Sequence, residues 1–133
     1  MFDLACFLFC NTTAKDERGN ISLLGTFDNV IFPSLPARLS PFRGVLQCTA
    51  LKETINQEVD VRILIQLEDK EFSTQEFKVK VLVEKDNLLN IDIDFSPLAF
   101  EVAGKYTFTV FLDEKKIARR VLRIRLESEL NEV

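Results

Sequence analysis

Four segments in the second half of the chain alternate apolar and polar residues, and this alternation constrains the fold more than any other sequence feature. Successive side chains of a β-strand point to opposite sides, so each segment predicts a strand with one apolar and one polar face. Strands with a single apolar face are typical of antiparallel sheets. The four segments are 59–67, 77–83, 89–95 and 106–112.

Three further strands are predicted in the first half of the chain. Residues 2–10 form an apolar run short enough for a strand buried on both faces, and the polar stretch 11–20 predicts a loop that ends in a tight turn. Segment 45–52 is less regular, so a short helix is the alternative to a strand there. Residues 21–32 are mostly apolar and predict a long strand.

Features of segment 21–32 and of the residues that follow it predict that the chain changes direction here. A glycine within a strand often marks a bulge, so we expect a bend near Gly25 or Asp28. The Asp28-Asn29 pair would hold that bend through bonds to nearby backbone groups, and the alternative is that the pair orders a ligand. Three prolines follow in 33–42 and predict a stiff, extended crossing from one sheet to another.

The C-terminal region completes the predicted fold. A loop at 96–104 precedes the strand at 106–112, a last strand spans 117–126, and a short charged tail begins at about residue 127. This makes about eight strands and no strong helix, and regularly spaced alternating strands are typical of sandwiches. We therefore predict an all-β protein, an antiparallel immunoglobulin-like β-sandwich, as a single domain over residues 1–133.

Two sequence motifs carry a resemblance to a known family. The first motif is LLGTFDNV followed by PSLP, at residues 23–36, and the second is GKYTF at residues 104–108. With these motifs the chain resembles a family of small uncharacterised bacterial β-sandwich proteins. The resemblance implies the fold and a bacterial, cytosolic setting, and it implies no activity. The residues that carry it are Gly25, Phe27, Asp28, Asn29, Pro33, Pro36, Gly104 and Tyr106.

The residue types that the chain lacks bear on its chemistry. With no histidine among its 133 residues, the chain cannot by itself build a Ser-His or Cys-His nucleophile or a histidine-ligated metal site. The sequence shows no other catalytic arrangement, so we expect neither enzymatic activity nor a cofactor. A net charge of −4 with 29% charged residues argues against nucleic acid as a partner.

Cysteine spacing and hydropathy bear on the setting of the protein. Cys6, Cys10 and Cys48 are an odd number without a CxxC pair, which favours buried free thiols in a reducing compartment over a disulfide framework. Cys6 and Cys10 are four residues apart on one strand, too far for a mutual disulfide, although Cys48 could meet either across the sheets. No apolar segment is long enough to span a membrane. We therefore expect a cytoplasmic protein.

Two charged clusters are candidate binding sites. Asp92 and Asp94 occupy alternate strand positions and could hold a calcium ion with Asp28, Asp113 or Glu101, but a solvated polar face is the favoured interpretation. The second cluster is basic and lies on the last hairpin. An anionic or nucleotide ligand could bind it, and the favoured interpretation is that the charges protect a sheet edge. Its residues are Lys115, Lys116, Arg119, Arg120, Arg123 and Arg125, of which Arg119, Arg123 and Arg125 are the ligand candidates.

Apolar residues outside the expected core favour a role in association. Phe111 falls on the outward side of its strand, and segment 2–10 is apolar on both sides. We therefore expect a non-enzymatic protein-binding or assembly module of a bacterial cytosolic system, with a protein partner or a second copy covering this surface. The alternative function is a sensor or effector component that binds an anionic or nucleotide ligand through the basic hairpin.

Overall fold

The computed structural model describes residues 2–18, 21–50, 57–68, 70–80 and 88–130, and this part of the chain is mostly β. One short helix, α1, follows the last strand within these residues. The elements are β1 (Phe2–Lys15), β2 (Ile21–Phe27), β3 (Asn29–Phe32), β4 (Ala37–Leu39), β5 (Phe42–Ala50), β6 (Glu58–Leu67), β7 (Lys70–Lys80), β8 (Leu88–Phe95), β9 (Leu98–Phe100), β10 (Gly104–Leu112), β11 (Lys115–Leu126) and α1 (Glu127–Leu130).

The strands form several sheets that are mostly antiparallel. The first sheet has the order β2-β1-β5-β8, the second has the order β3-β11-β10-β6-β7, and β4 pairs with β9 in a small third sheet. Among the described residues, the pairing of β3 with β11 is parallel, and the other pairs are antiparallel. No sheet of the described residues closes into a barrel. The immunoglobulin-like topology stays a prediction.

The core lies where aromatic rings of the first sheet meet those of the second. The ring of Phe108 on β10 is 4.8 Å from that of Phe9 on β1 and 5.6 Å from that of Phe95 on β8, measured between centroids. Val59, Val61, Ile63 and Ile65 alternate along β6, and all four side chains are buried. The apolar alternation over 59–67 therefore marks the core face of β6 correctly.

Several predicted boundaries are wrong or fall outside the described residues. β1 continues through the polar residues to Lys15, where it pairs with Ile21, so most of the predicted loop at 11–20 is strand. The backbone amides and carbonyls of β1 bond to those of β2 there, and these hydrogen bonds do not depend on whether the side chains are polar. The strand predicted at 45–52 is found as β5, so the alternative of a short helix is wrong for its described residues. Residues 19–20, 51–52 and 81–83 of the predicted turn and strands lie outside the described residues.

Of the two positions predicted for a bend, Gly25 and Asp28, the bend lies at Asp28, and the chain changes sheet at this residue. β2 pairs with β1 in the first sheet, whereas β3, directly after Asp28, pairs with β11 in the second sheet. Segment 33–42 then leads to β5 in the first sheet, as predicted, but it contains β4. The predicted loop at 96–104 likewise contains a strand, β9. The two short strands β4 and β9 form because their backbones pair with each other.

Candidate functional site

Three arginines lie on one exposed side of β11. Arg119, Arg123 and Arg125 occupy alternate positions, so their side chains point to the same side of the strand. All three are exposed, while Leu122 and Ile124 between them are buried in the core. The three ligand candidates of the basic hairpin therefore share one face.

Register with β10 adds a fourth cation to this face. Lys105 lies directly opposite Arg123, and Thr109 lies opposite Arg119. Like charges at directly opposite positions of two strands repel each other and destabilise the pair. The sequence prediction did not include Lys105, although its alternation with Tyr106 and Phe108 marks it as outward-facing.

We call the side chains of Lys105, Arg119, Arg123 and Arg125 the basic face. They line an open cleft of about 650 Å³. Asp28 and Asn29, at the junction of β2 and β3, line its other side, because β3 pairs in parallel with the end of β11. The structure therefore brings the Asp-Asn pair of the first motif next to the basic hairpin, although the two are far apart in sequence.

Ion pairs within the described residues leave the basic face uncompensated. They join Arg43 to Asp92 at 3.0 Å and Arg62 to Glu114 at 3.1 Å, and the third joins Arg120 to Asp28 at 3.6 Å. None of the three includes a residue of the basic face. Asp28 also lines the cleft, but its ion pair is with Arg120, so within the described residues Lys105, Arg119, Arg123 and Arg125 have no ion-pair partner.

Edge protection does not account for Arg123 and Arg125. At these two residues β11 pairs with β10 on one side and with β3 on the other, where Arg123 lies opposite Asn29 and Arg125 opposite Ile31. The Arg123 amide also donates a hydrogen bond of 2.9 Å to the carbonyl of Asp28. Charges protect a strand edge only where that edge is open. In this part of β11 the edge is covered.

The candidate aspartates lie on the first sheet, away from β11. Asp92 accepts hydrogen bonds from the Arg43 guanidinium at 3.0 Å and from the Thr13 hydroxyl at 2.8 Å. The hydrogen bond and the charge of Asp92 raise the pKa of Arg43. Asp94, two residues further on, is exposed. Both Asp92 oxygens therefore have protein donors, and the described residues include no cluster of three or more carboxylate or thiol groups that could hold a metal.

The other carboxylates suggested for a calcium site are engaged elsewhere. Asp28 pairs with Arg120, and Asp113 accepts a hydrogen bond of 3.0 Å from the Asp60 amide in the turn between β10 and β11. Glu101 is exposed in the turn after β9. The structure therefore does not bring these residues together with Asp92 and Asp94.

The cysteines are all free, and their placement differs from the prediction in two respects. Cys6 is exposed, whereas Cys10 and Cys48 are buried. Cys48 lies on β5, beside β1 in the same sheet and not across the core. Burial raises the pKa of Cys48 to about 11, and burial followed by the charge of Asp92 raises that of Cys10. The two buried thiols are therefore protonated at neutral pH.

Residues 5–125 match the model of a family of unknown function, DUF6941. The chain belongs to this family. The match includes both motifs, and it confirms the expectation of an uncharacterised family. No curated protein matches the chain.

The glycine and aromatic residues of the motifs have structural roles. Gly25 has a backbone φ of 70°, which favours glycine, and a Cβ atom there would collide with the side chain of Asn11. Phe27 packs against Phe9 and Phe42 with ring centroids 6.1 and 5.7 Å away. The Tyr106 hydroxyl donates a hydrogen bond of 2.7 Å to the carbonyl of Val102.

The remaining motif residues shape the ends of strands. Pro33 and Pro36 are exposed between β3 and β4, and the Leu35–Pro36 peptide is cis. Gly104 begins β10 at a close approach, since a Cβ atom there would lie 2.8 Å from Cδ1 of Leu67. The first motif therefore borders the cleft through Asp28 and Asn29, and its other residues support the fold.

Exposed apolar surface lies elsewhere than predicted. Phe111 is half-buried, with the guanidinium of Arg62 4.1 Å from the centre of its ring. On β1, Phe7 and Phe9 are buried, and the side chains of residues 2–5 lie outside the described part of the structure. No described helix is long and apolar enough to cross a membrane. Among the residues whose side chains are described, the large apolar residues that are exposed are Leu24 (50%), Ile31 (45%), Phe72 (36%) and Val102 (52%).

Proposed function

We propose that this chain is a non-enzymatic binding domain that takes an anionic ligand, through phosphate groups, on the basic face. The observation that carries the proposal is that four cations line one cleft without a described carboxylate partner. Arginine presents its donors as a planar fork that matches the oxygens of a phosphate. Several such groups on one face would hold more than one phosphate.

The electrostatic cost of the basic face supports a ligand. Lys105 and Arg123 lie directly opposite each other on two strands, and on β11 Arg125 lies two residues and Arg119 four residues from Arg123. These positively charged side chains repel one another, although the chain as a whole carries a net charge of −4. An anion bound between these side chains would convert the repulsion into attraction. A purely structural role would be served better by alternating charges.

The lining of the cleft favours phosphate groups over stacked bases. The volume of about 650 Å³ is in the range of small-molecule sites. Among the described residues that line the cleft, Val121 is the one apolar residue, and none has an aromatic ring on which a base would stack. We therefore propose a small phosphorylated molecule, such as a nucleoside polyphosphate held by its phosphates, and not a nucleic acid strand.

We also infer an immunoglobulin-like arrangement in a bacterial cytosolic setting. The bond from the Tyr106 hydroxyl to the Val102 carbonyl, four residues upstream, resembles the tyrosine corner of immunoglobulin-like sandwiches. Protonated, unpaired thiols at Cys10 and Cys48 agree with a reducing compartment. In such a setting the domain would act as a sensor or adaptor for the anion that it binds.

The test is calorimetric titration with tripolyphosphate and with ATP, at constant ionic strength. A charge-assisted hydrogen bond contributes about 1.5–3 kcal/mol, so Arg123→Gln and Arg125→Gln should each weaken binding by about tenfold or more. Lys78→Gln is the matched control, because Lys78 is an exposed cation on β7 of the same sheet, outside the cleft. It should bind as the wild type does.

Two results would overturn the proposal. The first is a wild-type protein that binds neither probe. The second is equal weakening by Lys78→Gln and Arg123→Gln, because that would indicate an attraction to net charge and not to this cleft. Tripolyphosphate binding without ATP binding would retain the phosphate site and exclude the nucleotide as its ligand.

A further inference from the structure

A second groove runs along the outer side of β10, next to the cleft of the basic face. Its volume is about 300 Å³, and it shares Lys105 and Arg119 with that cleft. Thr107 and Thr109 form its floor, since they alternate with buried residues and point to the same side as Lys105. Thr107 lies opposite Gln66 of β6 and Thr109 lies opposite Arg119 of β11, and in each pair the threonine is the shorter side chain. The groove and the cleft are therefore parts of one continuous surface.

The floor of this groove presents hydroxyl groups without a protein partner. Thr109 is polar and only 6% exposed, and buried polar groups in proteins normally have a hydrogen-bond partner. Within the described residues, neither Thr107 nor Thr109 takes part in a side-chain hydrogen bond. No fully enclosed side-chain oxygen or nitrogen of these residues lacks a partner, so the Thr109 hydroxyl reaches the groove. A bound molecule could therefore supply the partner that this hydroxyl lacks.

The wall of the groove on the side of β6 differs from the basic face in its chemistry. Gln66 lies near the end of β6, and Glu68 directly follows this strand. Neither residue takes part in an ion pair or a side-chain hydrogen bond that the structure describes. A carboxylate repels a phosphate but accepts hydrogen bonds from hydroxyl groups, and in dinucleotide-binding proteins such a carboxylate binds the ribose 2′-hydroxyl. The groove therefore favours a group with several hydroxyls over a further phosphate.

We propose that this groove binds the ribose of a nucleoside polyphosphate whose phosphates lie on the basic face, an inference that rests on the proposed function. The Glu68 carboxylate accepts hydrogen bonds from the ribose hydroxyls, and the hydroxyls of Thr107 and Thr109 bond to other oxygens of the ligand. Lys105 and Arg119 line both cavities, so they lie where the sugar meets the phosphates. The domain would thereby distinguish a nucleotide from an inorganic polyphosphate.

Calorimetric titration with tripolyphosphate, ATP and 2′,3′-dideoxy-ATP at constant ionic strength tests the ribose site. Wild-type protein should bind ATP about tenfold or more tightly than the dideoxy nucleotide, which lacks the hydroxyls that donate to Glu68. Glu68→Gln replaces the charged acceptor with a neutral one, so this preference should fall to about twofold or less. The same variant should bind tripolyphosphate at least as tightly as the wild type does. Glu58→Gln is the matched control, because Glu58 is an exposed carboxylate at the other end of β6, and it should retain the wild-type preference.

The outcomes separate this inference from the proposed function. Equal binding of the two nucleotides by the wild type would overturn the ribose site and leave the phosphate site intact, and this comparison does not depend on the folding of a variant. A preference for ATP that persists in Glu68→Gln, or that Glu58→Gln also loses, would reject the assignment of the ribose to this groove. Failure of the wild type to bind tripolyphosphate or ATP would instead overturn the proposed function, and the ribose site with it.

Discussion

Two arginines on the polar sides of the two large sheets have opposite surroundings. Arg43 on the first sheet donates to Asp92, which also accepts from Thr13. Arg123 on the second sheet lies opposite Lys105, with Arg125 two residues away, and no described carboxylate pairs with it. The comparison shows that a charged residue on a strand is a candidate for ligand binding only when no oppositely charged side chain of the protein pairs with it.

Partial burial explains the pairing on the first sheet. The side chains of Arg43 and Asp92 are 35% and 23% exposed, so each loses part of its hydration and gains a partner in return. Arg119, Arg123 and Arg125 are exposed, so water can solvate them in the absence of a ligand. The first arrangement satisfies its donors within the protein, and the second leaves its donors free, as the proposed anion site requires.

The largest expected effect on stability comes from removing the shared acceptor on the first sheet. Asp92→Ala leaves the donors of Arg43 and Thr13 without their partner, and we expect the free energy of unfolding to fall by about 2 kcal/mol. Urea denaturation measures this change. Asp94→Ala is the control, since Asp94 is exposed on the same strand, and it should change stability by less than about 0.5 kcal/mol. Equal losses of stability in Asp92→Ala and Asp94→Ala would contradict the distinction between paired and unpaired charged residues.

A smaller effect is expected from the buried thiol of the first sheet in alkaline solution. The folded protein holds the pKa of Cys48 at about 11, against an ordinary value of 9.0, so the unfolded chain loses this proton first as the pH rises. The contribution of the protonated thiol to stability is complete below pH 9 and is lost as the pH rises towards 11.

The alkaline prediction is measured by urea denaturation across this range. At about pH 10 the wild type should have lost about 1 kcal/mol more than Cys48→Ala, each relative to its own stability at neutral pH. Cys6→Ala removes an exposed thiol instead and should retain the wild-type decrease. A Cys48→Ala protein with the wild-type pH dependence would contradict the assignment of this loss to Cys48.

The smallest expected effect concerns the basic face and has the opposite sign. Arg123→Gln removes repulsion from Lys105 and should leave stability unchanged or raise it by up to about 0.5 kcal/mol at low ionic strength. Added salt should reduce the gain because it screens the charges. Thermal melts at two salt concentrations measure this. A clear loss of stability would mean that Arg123 has a structural partner, and the contrast with Arg43 would fail.

The sequence predicted the elements whose pattern is local. The alternation over 59–67 placed Val61 and Ile63 in the core of β6, and the break at Asp28 was expected from its own neighbours. The wrong predictions concern residues whose structure depends on pairing between strands that are distant in sequence. The polar residues of β1 up to Lys15 are strand because β2 pairs with them, and β4 and β9 are each too short to show a period.

The candidate site was predicted only in part, because some of its residues are brought together by local alternation and others by pairing between distant strands. Arg119, Arg123 and Arg125 alternate, so their shared face follows from the sequence. The position of Lys105 opposite Arg123, and of Asn29 on the far side, depends on strand register. A long-range parallel pairing such as that of β3 with β11 leaves no periodic signal in either segment.

By itself the sequence determined that this protein is built from one-sided strands around an apolar core, because side-chain alternation and apolar burial act within each segment. Tertiary structure decided which charges have partners. Arg43 reaches Asp92 and Arg120 reaches Asp28, whereas no residue of the basic face takes part in an ion pair that the structure describes. The physical reason is that a charge interacts with its neighbours in space, over distances of a few ångströms that only the packing of strands defines.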